Sequence, residues 1–372
     1  MSNKKARVIA FYLPQFYPTA ENDRYWGKGF TEWTNVAKAK PLFKGHEQPK
    51  IPADLGFYDL RLPIVREQQA EMAREAGIEG FMYWHYWFGD GVMTLTDVFE
   101  EVLHSGKPDF PFCLGWANHS WSNKSWTKGK AFQKDVMIFE MKYPGKDDII
   151  NHFYYCLPAF KDKRYITVKG KPLFYIWDPL NLPNAHEFIN IWNELAIENG
   201  LNGIHFVGRK EQEQVSVEEY SRLGFNAVQL SHQKYAEDHA LSSTLIKKVR
   251  GAVIKFTDGA SWLLRKYDYG KIIKNLSIPE EDSQENAYPT ILSGYDRSPR
   301  SGKKAVIYTN YTPELFSEHI KRVISNIENK DEENKIVFLK SWNEWAEGNY
   351  LEPDLKYGHS FLDVLRKNIV KQ

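Results

Sequence analysis

Two glutamates, Glu344 and Glu347, stand three positions apart in the stretch KSWNEWAEGNYLEP (340–353), beside Trp342 and Trp345 and ahead of Gly348. Nowhere else in the 372 residues are two glutamates spaced this way. Glutamate favours solvent and tryptophan the interior, so interleaving them brings carboxyl groups into a partly desolvated setting. A helical turn here would put their Cβ atoms about 5–6 Å apart. Cleavage of a glycosidic bond commonly uses two carboxyls, one to protonate the leaving oxygen and one to assist at the sugar. Aromatic surroundings and a neighbouring charge raise one pKa, so that this group keeps its proton near neutrality. The plain alternative is a solvated turn bearing two acids of no consequence, and three nearby aromatics and a glycine argue against it.

Other chemistries lack their residues. There is no His-x-His after the first predicted strand and no His-Glu-x-x-His, so a catalytic zinc barrel has no visible ligand set. No Gly-Lys is followed by Ser or Thr, which removes a Walker-type phosphate loop. Asp-x-Asp, which many metal-dependent sugar-nucleotide transferases use to hold a divalent ion, does not occur, and neither does Gly-x-Ser-x-Gly. No metal and no cofactor are expected.

The elements that must position the pair follow from short β-branched and aromatic runs bounded by Gly, Pro or polar clusters. Eight such runs occur: 7–13, 77–87, 111–117, 171–179, 203–209, 225–231, 288–296 and 336–342. Amphipathic segments alternate with them. One is LPIVREQQAEMAREA, with Leu62, Val65, Met72 and Ala76 on one face; another is TLTDVFEEVLHSG, with a Thr cap and a closing Gly. The pattern predicts an α/β fold, a (β/α)8 TIM barrel of one domain over residues 1–372. Long loops follow strands 1 (14–61) and 6, the latter a loop or helical insertion at about 232–287. An open doubly wound sheet is the alternative, but its Gly-rich turn is missing.

Composition narrows the partners. The balance of 49 basic and 48 acidic residues, without long runs of one sign, argues against a nucleic-acid surface and against electrostatic membrane docking. No apolar run approaches a membrane span, and the N-terminal stretch does not resemble a signal peptide. With only Cys113 and Cys156 there is no disulfide framework, and a cytoplasmic protein is expected. Aromatics make up 15% of the chain. They suit either a rich core or a cleft whose flat faces pack on sugar rings.

In a barrel of this kind, catalytic side chains come from the C-terminal ends of the strands. Tyr12, Tyr83, His85, Trp87, Trp116, Asn118, Asp178, Tyr295 and Asn343 fall there, together with Gln15, His119, Trp121, Trp177, Arg209 and Arg297. Singly, each has a plain role: His85 a core histidine, Asp178 the start of a turn, Asn118 a helix cap. Their coincidence at one rim, aromatic planes beside carboxylate, amide and imidazole, points to a polyhydroxylated ligand. With Trp33, the first nine form the expected substrate-binding set, around Glu344 and Glu347 as the catalytic pair. The tryptophans of the opening stretch are expected to wall the sugar site.

The stretch AFYLPQFYPTAENDRYWGKGFTEWTNVAKAKPLFKGHEQPKIPADLGFYDLRLP, followed by GFMYWHYWF, CLGWANHSW, RYITVKGKPLFYIW and SWNEWAEGNYLEP, resembles the WbsX-like family over nearly the whole chain. That family occurs among bacterial surface-polysaccharide proteins and carries a glycosyltransferase label. It is similar in turn to the endo-α-mannosidases of glycoside hydrolase family 99, metal-independent (β/α)8 barrels whose Asn-Glu-Trp-x-Glu-Gly signature matches Asn343 through Gly348. The resemblance implies that Glu344 takes a proton from the sugar 2-hydroxyl, whose oxygen closes an epoxide-like intermediate. It implies that Glu347 protonates the leaving group and then activates water, with net retention. Where many relatives have Glu after Trp-Ala-Asn, this chain has His119, which bears on the identity of the substrate. The expected function is thus a glycoside hydrolase-like enzyme acting on an α-linked mannose- or rhamnose-type glycan. A glycosyltransferase in polysaccharide or lipopolysaccharide assembly is the first alternative. A non-catalytic carbohydrate-binding protein is the second, although binding alone has no need of two glutamates at this spacing. An oligo- or polysaccharide is the expected partner.

Overall fold

The computed structural model describes residues 4–122, 136–240 and 264–371. Nine strand segments form a parallel barrel: β1 (Arg7–Tyr12), β2 (Gly80–His85), β3 (Phe112–Trp116), β4 (Lys171–Ile176), β5 (His205–Lys210), β6 (Ala227–Leu230), β7 (Ala287–Tyr288), β8 (Thr290–Leu292) and β9 (Ile336–Lys340). Each of the eight predicted runs supplies one barrel strand. The seventh is split at Pro289, which has no N–H for the ladder. β7 pairs with β6 and β8 pairs with β9, so the two halves close the ring between them. The Pro289 carbonyl still accepts from the Phe338 amide at 3.0 Å.

Alternation along the strands separates two aromatic layers. Inside, Phe11 packs against Trp84, Tyr175 and Phe338 with ring centroids 5.2–5.5 Å apart. Outside, the next residues along meet the helices: α1 (Pro63–Glu75), α2 (Asp97–Ser105), α3 (Lys146–Phe160), α4 (Ala185–Glu198), α5 (Val217–Arg222), α6 (Pro313–Ile327) and α7 (Ser360–Ile369). α1 differs from its predicted face. Val65 and Ala76 are buried, but Leu62 is exposed, and the buried side includes the polar Arg66 and Gln69. α2 ends, as predicted, at a left-handed Gly106, though Thr96 makes no side-chain cap bond.

The long connection after β1 carries two short helices, Ala20–Trp26 and Glu32–Lys38. Of the predicted insertion at 232–287, residues 241–263 lie outside the described residues. The rest contributes the short helix Gln233–His239 and the strand Arg265–Asp268, which pairs in parallel with Val306–Thr309. Tyr267, Tyr269, Ile272, Val306 and Tyr308 build a satellite core there, joined by Leu292 and Tyr295. Among the described residues no helix is long and apolar enough to cross a membrane.

Candidate active site

A cleft of about 740 Å³ opens where the strands end. Phe11, Trp84 and Trp177 line it from inside the barrel, Tyr86, His119 and Trp121 from the loops that follow β2 and β3, Lys340 from the end of β9, and Tyr295, Glu344 and Glu347 from the loops after β8 and β9. The glutamates do not sit on a helix. Asn343–Glu344 pairs antiparallel with Asn349–Tyr350, and a single 3₁₀ turn, Trp345–Glu347, joins the two. Gly348 allows this turn: its φ is +63°, and a Cβ there would lie 2.8 Å from the Asp296 backbone nitrogen. That nitrogen donates to the Glu347 carbonyl at 2.6 Å.

Arg300, in the short helix Ser298–Ser301, gathers the carboxylates. Its Nη1 donates to Glu347 Oε1 at 2.6 Å, and its Nη2 to Glu344 Oε2 at 3.0 Å and to Glu32 Oε1 at 2.9 Å. The Arg300 side chain is 9% exposed and that of Glu32 0%. Arg297 Nε lies 3.3 Å from Glu347 Oε1. A planar guanidinium with several donors can bridge carboxylates as a single ammonium cannot.

This arrangement drives the two glutamates apart. Burial raises Glu344, and the negative charges of Glu347 and Glu32 add to it, against Arg300; its pKa rises to about 7. Burial acts the same way on Glu347, but Arg297, Arg300 and Lys340 outweigh it and hold this carboxyl below its usual range. In the free site the proton near neutrality therefore belongs to Glu344, whereas the resemblance casts Glu347 as the acid. A carboxyl pair with split pKa values is the usual mark of divided acid and base roles.

Only part of the expected set lines the cleft: Glu344, Glu347 and Tyr295. Most of the others sit one residue out of phase and face the helices. Tyr12 donates to Gln69 of α1 at 2.6 Å. Tyr83 packs on Phe99 and Phe112. His85 lies 2.8 Å, Nε2 to Nε2, from His152 of α3, and Trp87 stacks on the same imidazole. The Trp116 indole donates to the Trp87 carbonyl. The cleft sees instead Phe11, Trp84, Tyr86, Ala117 and Trp177, the alternate positions.

The remaining expected residues fix loops. Asn118 exchanges two bonds with the Asp178 backbone, at 2.7 and 2.8 Å, while the Asp178 carboxylate binds Asn181. Asn343 does the same with the Leu13 backbone, at 2.8 and 3.0 Å. Trp33 donates to the Tyr58 carbonyl and packs on Trp345. Trp342 and Trp345 are buried and do not wall the cleft; Trp345 stacks on Tyr350 and donates to Glu352 at 2.6 Å, supporting the turn from behind. Arg300, Glu32 and Lys340 were outside the expected set. Glu32 is 312 positions from Glu344, and no local pattern links them.

Among the described residues, one group has donors close enough to hold a metal: His85, His152 and Cys156, within 4.8 Å of one another. It lies behind β2, away from the cleft. Both imidazoles are kept neutral by burial, and they already bond each other.

A family model described as glycosyltransferase WbsX matches residues 8–365. Sequences from two strains of Xanthomonas campestris pv. campestris, each described as uncharacterized protein WxcX, are 31% identical to this chain over 369 residues. The match covers 98% of this chain and 50% of each relative, so the chain spans about half the length of the curated relatives it matches. Among solved structures, a glycoside hydrolase-like protein superposes with a TM-score of 0.61 at 15% identity, covering 98% of this chain and 93% of the other. A GH99 endo-alpha-mannosidase from Bacteroides thetaiotaomicron superposes at 0.57 and 14% identity, covering 99% and 98%. At such identities the likeness concerns the fold.

Proposed function

Because the chain belongs to the glycosyltransferase WbsX family and has a glycoside hydrolase-like barrel, we propose that it cleaves an α-linked glycan, of mannose or rhamnose type, in bacterial surface-polysaccharide metabolism. The observation that carries this reading is the pair Glu344 and Glu347, held by one buried arginine at the base of an aromatic-walled cleft. Trp84 and Trp177, packed edge to face at 5.3 Å, both line the cleft, where aromatic surface suits sugar rings.

In this reading Glu344 is the base that draws the proton from the sugar 2-hydroxyl. Its pKa near 7 places it close to neutrality, and a base is most effective when its pKa lies near the pH at which it works. The 2-oxygen then attacks the anomeric carbon as the bond to the leaving oxygen breaks, and Glu347 delivers a proton to that oxygen. Water activated by Glu347 opens the three-membered ring from the opposite side, and Glu344 returns its proton to the 2-oxygen. Two inversions give retention. To act as the acid Glu347 must first take up a proton, so a glycan oxygen has to replace part of its contact with Arg297 and Arg300. That exchange removes the charges that hold its pKa down.

The family's description favours a second reading, in which a sugar hydroxyl replaces water and the product is a transferred glycosyl unit. Incubation of α-mannan and α-rhamnan oligosaccharides in ¹⁸O-water, followed by mass spectrometry, separates the two. Hydrolysis places ¹⁸O at the new reducing end. Longer products without ¹⁸O would establish transfer, and unchanged oligosaccharides would count against both.

A further inference from the structure

The cleft is lined by seven lysines and arginines against five aspartates and glutamates. Arg300 is committed to Glu32, Glu344 and Glu347. Lys340, at the end of β9, is matched by Glu347 and Glu344 only at longer range. Its ammonium donates to the amide oxygen of Gln233 at 3.0 Å and sits 5.2 Å from the centroid of the Tyr295 ring, two neutral partners.

Arg209, at the end of β5, is held by its plane. Its guanidinium carbon lies 3.6 Å over the Trp177 ring, and Nε donates to the Trp177 carbonyl at 3.1 Å. Its carboxylate partner, Glu211 at 2.9 Å, is 42% exposed and so strongly screened by solvent. Burial, Arg209 and Arg297 all weaken the hold of Lys340 on its proton, with Glu347 and Glu344 acting the other way. These like charges crowd one end of the cleft, and a neutral glycan would add nothing to the carboxylates, Glu211, Glu344 and Glu347, that offset them.

We propose that the glycan taken by this cleft bears an acidic group, a carboxylate or a phosphate on one sugar, which seats against Lys340 and Arg209 beside the face of Trp177. The inference rests on the carbohydrate reading above and names the class of sugar within it. An arginine stacked on an indole presents a fixed fork, the geometry that suits an oxyanion, while the lysine supplies a second charge.

The test has two parts, both on the full chain. In the first, binding constants are measured for α-mannan oligosaccharides with glucuronate branches, the same material with its carboxyls reduced to alcohols, and phosphorylated α-mannan oligosaccharides. An acidic form should bind about tenfold tighter than the reduced form, the worth of one charge-assisted hydrogen bond. That preference should fall towards parity in Lys340→Gln and shrink in high salt. The better of the two acidic forms identifies the group as carboxylate or phosphate. Equal affinity for acidic and reduced forms overturns the inference and leaves the carbohydrate reading in place. So does a preference unchanged in both Lys340→Gln and Arg209→Gln.

In the second part, binding of free glucuronate is compared with that of glucose by ligand-observed NMR. Glucuronate binding that depends on Lys340, with no glycan of any kind cleaved or transferred, supports the anion seat while counting against the proposed reaction. Glucuronate bound no better than glucose counts against the seat as well.

Discussion

Arg300 decides how the two glutamates share their protons. One guanidinium, itself buried, bonds three carboxylates, and two of them face the cleft. Removing one member of a buried ionic cluster costs about 3–5 kcal/mol, because the remaining charges are left uncompensated. Arg300→Met should therefore lower stability by about that amount, measured by urea unfolding, and should also reduce activity at every pH. Arg300→Lys restores charge without the fork, so it should regain stability before activity. The raised pKa of Glu344 gives a separate expectation: if this group is the base, kcat/KM should climb as pH rises through about 7, and Glu32→Gln, which removes a negative charge that raises Glu344, should move that limb to lower pH. A limb unmoved by the substitution would detach Glu344 from it. At this scale the sequence disclosed the pair and little of its surroundings. In β2, GFMYWH, aromatic or polar residues occupy both faces, so a period of two gives no sign of which face points inward. Trp84 meets the cleft while Tyr83 and His85 meet α2 and α3. The plain reading of His85 as a core histidine is the one its surroundings match.

The elements carry the pair by a tight turn braced from three sides. Gly348 touches the Asp296 backbone, Asn343 is tied to Leu13, and Trp345 leans on Trp33 and Tyr350. Gly348→Ala should cost about 1–3 kcal/mol, from a strained left-handed φ together with a close backbone contact, and Glu347 should move with the turn. Loss of activity larger than the loss of folded protein, measured by calorimetry beside a rate assay, is the expected result. Every barrel strand was legible, because strand runs and helical runs alternate outside the two long connections. The helical turn considered for the pair is only a single 3₁₀ turn, Trp345–Glu347, because Gly348 and the pairing of Asn343–Glu344 with Asn349–Tyr350 place Glu344 on a strand. Nor did any pattern show that the connection after β1 supplies Glu32. That contact depends on packing between loops remote in sequence.

Across the whole molecule, a buried polar thread ties the barrel's outer face to the site. Glu352 accepts from Gln69 of α1, from Tyr58 of the first long loop and from the Trp345 indole, at 2.6–2.8 Å. Burial lifts its pKa to about 7, with these donors opposing. A carboxyl raised in the fold binds its proton more readily there than in the unfolded chain, where its pKa is about 4.3. The associated stability is complete below about pH 4 and is lost as pH rises through 7. The thermal midpoint should fall across that window, and the fall should be shallower in Glu352→Gln; a slope identical in both proteins would remove Glu352 as its source. The chemistry itself is tested most directly by reducing-end release from α-mannan and α-rhamnan oligosaccharides, comparing wild type with Glu347→Gln and Glu344→Gln at equal folded concentration. The account predicts release by the wild type and its near-abolition in both variants, with an activated aryl α-glycoside, whose departure needs no acid, partly restoring aglycone release in Glu347→Gln alone. Release that survives in either variant on the natural linkage would contradict the assignment of the reaction to this pair.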